Sequence, residues 1–278
     1  MWNQKISMSI GNHYSMPTPD IVKLLACIGF DGISPEWNAE VDLSPVVDAA
    51  AQHGLGLVSI HAPFGGAANM WGTDAADAAK SDLFGTLEAC RRFSIPVMVV
   101  HNWIGFDYTF GDTAHGFANF GEVVEHAVKY GVKIAFENTE GDEYLYALMN
   151  HFNGNDTVGF CWDSGHELCY NHSRDLLADF GDRLLVTHLN DNLGISRYDG
   201  KTFWTDDLHL LPWDGIADWD DNIARLKRSR RLEYLNFELT TQSKPGRHEN
   251  DCYARMSLEE YFTEVYKRAC RVAYRYSR

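Results

Sequence analysis

The six cysteines of the 278-residue sequence are widely scattered, and no two of them form a closely spaced pair. No CxxC motif is present, and such motifs are typical of zinc ribbons and of redox-active dithiols. Widely scattered cysteines favour free, mostly buried thiols in a reducing compartment over a disulfide framework. With 45% hydrophobic residues, the chain can instead be stabilised by a large apolar core.

Long apolar runs are also missing. No segment reaches about eighteen consecutive apolar residues, roughly the length that crosses a bilayer as a helix. The first residues, MWNQKISMSIG, contain no basic region followed by an apolar stretch of the kind found in secretory signals. We therefore expect a soluble cytoplasmic protein that makes no membrane contact.

Basic residues are scarce relative to acidic ones. The chain has 24 Lys and Arg residues against 39 Asp and Glu residues, which gives a formal net charge of −15. A surface of this sign repels nucleic acid unless basic residues cluster on one face. No GxGxxG or Walker loop is present, so the sequence contains no recognisable phosphate-binding loop, and whether a substrate is phosphorylated stays open.

What the sequence does contain is a regular alternation of two kinds of segment. Eight short apolar runs have the length and composition of buried strands, at residues 5–11, 31–37, 57–64, 97–103, 133–139, 158–164, 184–191 and 234–240. Segments with helical spacing follow them, at residues 20–30, 44–54, 78–93, 119–131, 143–152, 173–181, 219–228 and 257–277. Several of these segments end at a glycine in the position of a helix C-cap, as at Gly54 and Gly131.

This alternation predicts a (β/α)8 barrel, because parallel strands need crossover helices and eight strands can close a sheet. We expect one such domain over residues 1–278, since no Pro-, Gly- or Ser-rich linker divides the chain. A doubly wound open sheet is the alternative, and the missing GxGxxG after the first strand counts against it. The two long connections, at 190–218 and 241–256, follow strands and so belong to the carboxyl-terminal face, where barrel enzymes bind substrate.

Most of the predicted strands end in a side chain of a type that binds metals. These side chains are His61, His101, Glu137, Asp163, His166, His188 and Glu238, and the connection after the seventh strand adds Asp207 and His209. Taken singly, each would more often be a cap or a core histidine than a ligand. Their repetition at the same end of six strands favours a divalent-metal site, since clustered carboxylates repel one another without a cation.

Four of these residues suit one hard or borderline ion. They come from the last four strands and are Glu137, Asp163, His188 and Glu238. Three carboxylates and one imidazole fit Mn²⁺, Mg²⁺ or Co²⁺, with Zn²⁺ as an alternative. The other five, His61, His101, His166, Asp207 and His209, are richer in nitrogen. They are candidates for substrate binding or for further ions, for which Zn²⁺ is the natural choice.

The motifs HAPF, HNW, ENTEG, WDSGH, HLND, DLHLLPWDG and FEL together resemble those of the xylose-isomerase-like TIM barrels, over essentially the whole chain. This superfamily includes sugar isomerases and epimerases, inosose dehydratases and the endonuclease IV group. For the epimerase branch, the resemblance implies one ion on the four-residue set, with His166 touching the substrate. It also implies an enediolate route in which Glu137 and Glu238 act as base and acid on a small sugar, sugar phosphate or inosose-type ketone.

The endonuclease IV branch is the alternative, because the sequence matches all nine of its metal positions. That resemblance implies a trinuclear zinc phosphodiesterase that acts at abasic sites in DNA. Glu137 would bridge the first two ions, and the remaining ligands would be His61 and His101 for the first, Asp163, His188 and Glu238 for the second, and His166, Asp207 and His209 for the third.

Two departures favour the epimerase branch. In endonuclease IV an aromatic and an aliphatic residue follow the first histidine by three and four positions and wedge into DNA, whereas here Phe64 is followed by Gly65. The densest basic run, RLKRSRR at 225–231, precedes the last strand and so belongs to the amino-terminal face, away from the metals, as a solvated helix end. Nucleic acid is therefore disfavoured as a partner.

One aromatic residue is a candidate for substrate contact. Trp103 follows His101 by two positions and should therefore point to the same side of the strand. We expect it to stack on the apolar face of a sugar. Barrels of this type often pair through their helices and loops, so a homo-oligomer stays open, as does the choice between isomerase, epimerase and dehydratase.

Overall fold

The computed structural model describes residues 4–11, 14–73, 75–196 and 201–278. Within these ranges the strands are β1 (Lys5–Ile10), β2 (Gly32–Pro35), β3 (Gly56–Leu57), β4 (Ile60–His61), β5 (Val97–His101), β6 (Lys133–Glu137), β7 (Val158–Asp163), β8 (Leu184–His188) and β9 (Tyr234–Phe237). The α-helices are α1 (Thr18–Ile28), α2 (Ser44–His53), α3 (Ala76–Phe93), α4 (Ala114–Tyr130), α5 (Asp142–His151), α6 (Ser164–Cys169), α7 (Leu176–Phe180), α8 (Trp219–Arg228) and α9 (Leu258–Tyr276). Residues 197–200 of the predicted connection at 190–218 lie outside the described ranges.

The strands form two parallel sheets that curl towards each other. One has the order β3-β2-β1-β9 and the other the order β4-β5-β6-β7-β8. Parallel bridges join them on both sides, between Glu36 and His61 and between Leu189 and Phe237. The predicted barrel architecture is therefore confirmed.

The third predicted strand, at 57–64, is split into β3 and β4 because it changes partner along its length. Its first half pairs with β2, and the Val58 N–H donates to the Ile33 carbonyl at 2.9 Å. Its second half pairs with β5, and the Ala62 N–H donates to the Val99 carbonyl at 3.0 Å. This strand therefore links the two sheets.

Side-chain alternation along β5 to β8 determines what faces the barrel interior. Small apolar residues form a separate buried cluster there, consisting of Val97, Val99, Ala135, Cys161 and Val186. Two positions further along each strand, the same face carries His101, Glu137, Asp163 and His188. The register places His101 opposite Glu137, and Asp163 opposite His188. The period of two therefore brings the predicted ligands together at the carboxyl ends of the strands.

The opposite wall of the interior is polar. The Ser7 hydroxyl donates to Asn236 Oδ1 at 2.9 Å, and Asn236 Nδ2 donates to Ser9 Oγ at 2.9 Å. The Ser59 hydroxyl donates to Ser34 Oγ at 2.9 Å. Because buried hydroxyl and amide groups need partners, the first two bonds reinforce the register of β1 and β9. The third bond joins β2 to the segment between β3 and β4.

Helix α6 was not predicted, and it explains why polar residues follow directly on β7. The Asp163 carboxylate caps it by accepting the His166 backbone N–H at 2.7 Å. The helix then packs tightly against the connection after β8, since a Cβ at Gly165 would lie 1.8 Å from Asn190 Oδ1. Helix α7 likewise starts at its own cap, Asp175, rather than at residue 173.

The basic run at 225–231 is only partly a solvated helix end. Its later Lys and Arg residues are exposed, but the Arg225 side chain is 10% exposed and lies 2.6 Å from Glu167 and 3.1 Å from Asp175. Its guanidinium also lies over the Trp162 ring at 5.3 Å. The expectation of a solvated end is wrong for Arg225, which instead joins α8 to the segment that carries His166.

The cysteines and the apolarity of the helices are both the subject of expectations from composition. All six cysteines are free, and three of them are buried, namely Cys90, Cys161 and Cys169. Cys27 and Cys252 are exposed, so burial is less general than expected. Among the described residues, no helix combines the length and apolarity needed to cross a membrane.

A buried carboxylate holds the long connection after β8 against the barrel. Asp191 accepts hydrogen bonds from the backbone N–H groups of Asn192 at 2.8 Å, Trp213 at 2.9 Å and Ala217 at 3.0 Å. It also accepts one from Trp219 Nε1 at 2.8 Å. Because these donors lie at both ends of the connection, Asp191 closes it into a loop, and that loop carries two of the predicted ligands.

We predict that Asp191→Asn lowers the free energy of unfolding by about 2–4 kcal/mol. The asparagine side chain has one acceptor oxygen where Asp191 has two, and its NH₂ group would face N–H donors that need an acceptor. Urea denaturation measures the change. The matched control is Asp48→Asn on the exposed face of α2, which should change stability by less than about 0.5 kcal/mol. Equal effects of the two substitutions would contradict the role of Asp191.

Candidate metal centre

Glu137 lies at the centre of the predicted ligands and is completely buried. Its Oε1 atom lies 2.8 Å from His188 Nδ1. Its Oε2 atom lies 3.2 Å from His61 Nε2 and 3.3 Å from His101 Nε2. Each oxygen therefore faces at least one imidazole nitrogen, as in a carboxylate that could bridge two cations.

The four-residue set predicted to hold one ion is assembled in the structure. Ligand atoms of Glu137, Asp163, His188 and Glu238 all lie within 4.8 Å of one another. His188 Nδ1 also lies 3.1 Å from Glu238 Oε2. Three carboxylates around one imidazole in a buried position form a donor set that fits a hard or borderline divalent cation.

The other predicted residues form two further groups at the same place. His61 and His101 join Glu137 in one group, and His166, Asp207 and His209 form the other, again within 4.8 Å. In the latter, Asp207 Oδ2 lies 2.9 Å from His209 Nε2 and Oδ1 lies 3.5 Å from His166 Nε2. Asp207 Oδ1 is buried without a hydrogen bond, so this oxygen keeps a free acceptor position. All nine candidates are therefore brought together.

Two asparagines that the sequence did not single out orient these ligands. Asn190 Nδ2 donates to Asp163 Oδ2 at 2.9 Å. Asn138 bonds the backbone of Asp163 twice, accepting its N–H and donating to its carbonyl, both at 2.8 Å. The Asn138 carbonyl lies 2.9 Å from His166 Nδ1, which leaves the Nε2 atom of that ring to face the cavity. Such outer contacts fix the tautomer and rotamer of a ligand.

The electrostatics of the site balance burial against opposite charges. Burial would raise the pKa of Glu137, but His188, His101 and His61 outweigh it and hold that pKa well below its usual value. Burial raises the pKa of Asp163 to about 6, against the opposing effect of His166. Burial would also raise the pKa of Glu238, but His188 outweighs this effect and lowers the pKa to about 2. Against the effect of burial, Glu137 raises the pKa of His61, and Cys161 and Glu137 raise the pKa of His188, whereas burial lowers the pKa of His101. Positive charge on His61 and His188 thus compensates the carboxylates.

A cavity of about 620 Å³ opens above these residues. Six of the nine ligand candidates line it, namely His61, His101, His166, Asp207, His209 and Glu238. Aromatic side chains line it as well, namely Phe64, Phe106, Tyr170 and Trp204. The Phe64 ring stacks on His101 with the ring centroids 4.7 Å apart. This volume and this mixture of aromatic walls and convergent polar groups are typical of a small-molecule site.

Trp103 does not take the position expected of it. It is absent from the described residues that line the cavity, and its ring instead stacks on Tyr144 with the centroids 4.2 Å apart. Its indole N–H donates to the Gly105 carbonyl at 2.9 Å. The expectation fails because β5 ends at His101, so the strand alternation no longer applies two residues later.

Residues 22–259 match the family model described as xylose isomerase-like TIM barrel, and the chain belongs to this family. Within it, the IolI protein, whose crystal structure contains a zinc atom, superposes with a TM-score of 0.75 at 19% identity, over 97% of this chain and 98% of that one. The D-psicose 3-epimerase of Clostridium cellulolyticum H10, solved with D-tagatose, superposes with a TM-score of 0.71 at 12% identity, over 96% and 99% of the two chains. An L-ribulose 3-epimerase gives a TM-score of 0.69 at 15% identity, over 95% and 92%. At these identities the likeness establishes the fold alone.

One relative is more similar in sequence over a shorter stretch. The uncharacterized protein y4fM of Sinorhizobium fredii (strain NBRC 101917 / NGR234) is 37% identical over 128 residues. The match covers 44% of this chain and 38% of that protein, so the chain aligns with well under half of its relative's length.

We predict that Glu137→Gln weakens the binding of Mn²⁺ and Zn²⁺ at least ~100-fold, because losing a direct ligand should cost more than the roughly 10–100-fold of an outer contact. Titration calorimetry on metal-free protein measures the affinity. Glu140→Gln is the matched control, since Glu140 is a nearby carboxylate outside the ligand groups that accepts the Gly105 N–H at 2.8 Å, a bond that glutamine keeps. Equal affinities in wild type and Glu137→Gln would remove Glu137 from the ligand set.

Proposed function

We propose that the protein is a divalent-metal-dependent isomerase or epimerase of a small sugar, sugar phosphate or inosose-type ketone. The observation that carries this proposal is that Glu137 and Glu238 belong to one ligand group with Asp163 and His188, and that Glu238 of this group lines the cavity. The fold shared with a D-psicose 3-epimerase and an L-ribulose 3-epimerase supports the same reaction class.

The proposed chemistry assigns separate roles to the metal and to the two glutamates. An ion held by Glu137, Asp163, His188 and Glu238 would polarise a carbonyl and the neighbouring hydroxyl of a bound ketose. Glu137 and Glu238 would form the base and acid pair. One would remove the proton from the carbon that bears the hydroxyl, and the other would return a proton. Return to the opposite face of the carbon that bears the hydroxyl gives an epimer. Return to the former carbonyl carbon gives an aldose when the hydroxyl was on the terminal carbon. His166, His61 and His101 would contact substrate oxygens or further ions.

The identity of the metal follows from the ligand chemistry, and the location and partners follow from the composition. Mn²⁺ suits the three carboxylates and one imidazole best, with Mg²⁺ or Co²⁺ as alternatives and Zn²⁺ if more than one ion is bound. We also propose a cytoplasmic enzyme that takes a small-molecule substrate and can form a homo-oligomer. The net charge of −15 agrees with a partner other than nucleic acid.

A trinuclear zinc phosphodiesterase is the second candidate, and the arrangement of nine residues in three groups favours it. Two features of the cavity oppose it. Phe64 is 47% exposed and is followed by Gly65, so the paired wedge for DNA is incomplete. Among the described residues that line the cavity, Lys244 is the one Lys or Arg, which gives little attraction for a phosphodiester backbone.

An oligonucleotide with one abasic site separates the two candidates. We predict that zinc-loaded protein leaves it intact on a denaturing gel, because the cavity lacks both the wedge and the basic surface that a duplex needs. Cleavage at the abasic site that is lost in Glu137→Gln and retained in Glu140→Gln would establish the phosphodiesterase instead.

We predict that Glu238→Gln slows exchange of the substrate α-proton with deuterium by roughly 10²–10⁴-fold, the usual contribution of a general acid or base. Manganese-loaded protein in D₂O with D-tagatose, D-psicose, L-ribulose or an inosose, followed by proton NMR, measures this exchange. Glu140→Gln serves as the control and should retain most of the rate. Absence of exchange for every ketose tested would refute the isomerase and epimerase assignment.

A further inference from the structure

Lys244 lies in the connection after β9 and lines the cavity. It lies beside the group formed by His166, Asp207 and His209, which we call the third ligand group. Its Nζ atom lies 3.3 Å from Asp207 Oδ2, the same oxygen that lies 2.9 Å from His209 Nε2. The ammonium also lies 5.8 Å from the centre of the Trp204 ring, and the side chain is 24% exposed. A positive charge is therefore already placed against the single carboxylate of this group.

The backbone that carries Lys244 is tied to the connection that carries Asp207. Asn250 is buried, and its Nδ2 atom donates to the carbonyls of Leu208 at 3.1 Å and Gln242 at 3.2 Å. The Asn250 N–H donates to Ser243 Oγ at 3.0 Å.

On the far side of the lysine, Arg247 forms a second tie. Its guanidinium lies 3.3 Å from the fully buried Asp206, next to Asp207 in the chain. Because ties lie on both sides of Lys244, its position opposite Asp207 is built into the packing of two loops rather than left to a free surface side chain.

We propose that Lys244 is the resident cation of the His166, Asp207 and His209 group, so that this group does not hold a third divalent ion. The inference goes beyond the proposed function, since it sets an upper limit of two on the number of ions at the site. In this arrangement the ammonium, rather than a metal, presents positive charge and N–H donors to the oxygen-rich side of a bound substrate.

The physical reason is competition for one carboxylate. A divalent ion ligated by Asp207 would stand within a few ångströms of the ammonium, where like charges repel strongly even at the screened dielectric of a protein surface. With both imidazoles neutral, as metal binding requires, the group carries one negative charge, and Lys244 already neutralises it. The four-residue group differs in this respect, because it combines three carboxylates and none of its members has a Lys or Arg ion pair among the described residues.

The test counts zinc ions in the full-length protein with and without the ammonium. Lys244→Met keeps the length of the side chain and removes its charge, and Lys244→Arg is the control that keeps the charge. Native mass spectrometry and calorimetric titration of metal-free protein with Zn²⁺ give the number of ions and their affinities.

We expect no more than two ions in wild type and in Lys244→Arg, and one additional ion in Lys244→Met, with an affinity at least ~10-fold above any residual binding in wild type. The additional ion should disappear in Lys244→Met/Asp207→Asn. Three ions in wild type, or equal counts in wild type and Lys244→Met, would overturn the inference. Lys244→Gln provides a second neutral variant if the methionine variant does not fold.

The outcomes also separate this inference from the proposed function. One additional ion in Lys244→Met supports the inference even if none of the ketoses exchanges its α-proton. Ketose exchange by a wild-type protein that binds three ions would keep the isomerase assignment and overturn the role of Lys244.

Discussion

The burial of the Glu137 carboxylate among imidazoles is the constraint on which the site depends. A fully buried carboxylate is costly unless it is paired, and this one is surrounded by His61, His101 and His188 rather than by a Lys or Arg. A neutral imidazole offers a nitrogen lone pair to a cation, whereas a charged lysine or arginine side chain does not. The same contacts therefore stabilise the folded chain and leave it ready to bind metal.

The barrel supplies this arrangement by simple geometry. Alternation along the strands turns small apolar residues inward and ends each inner row in a ligand candidate, as Val99 leads to His101 and Ala135 to Glu137. Loops then complete the site from above, and buried polar residues hold them in place: Asp191 for the connection after β8 and Asn250 for the one after β9. The ligand candidates are thus divided between the strand ends and the tethered loops.

Much of this could be predicted from the sequence, because the fold follows from periodicity and the ligands from chemically distinct residues at strand ends. The barrel is confirmed, and all nine candidates lie together. What could not be predicted depends on contacts between distant segments. Trp103 turns away because β5 ends before it, Arg225 is drawn inward by Glu167, and Lys244 meets Asp207 only because two loops pack together. The hydrophobic periodicity of a sequence does not predict contacts between segments that are distant in the chain.

The most direct test of the account is a crystal structure of the manganese-loaded protein with data collected at the manganese absorption edge. We expect an anomalous peak within bonding distance of Glu137, Asp163, His188 and Glu238, at the place where their ligand atoms already lie within 4.8 Å of one another. The absence of a peak among these four residues, with manganese present in the crystals, would contradict the claim that Glu137 and its neighbours form a metal centre.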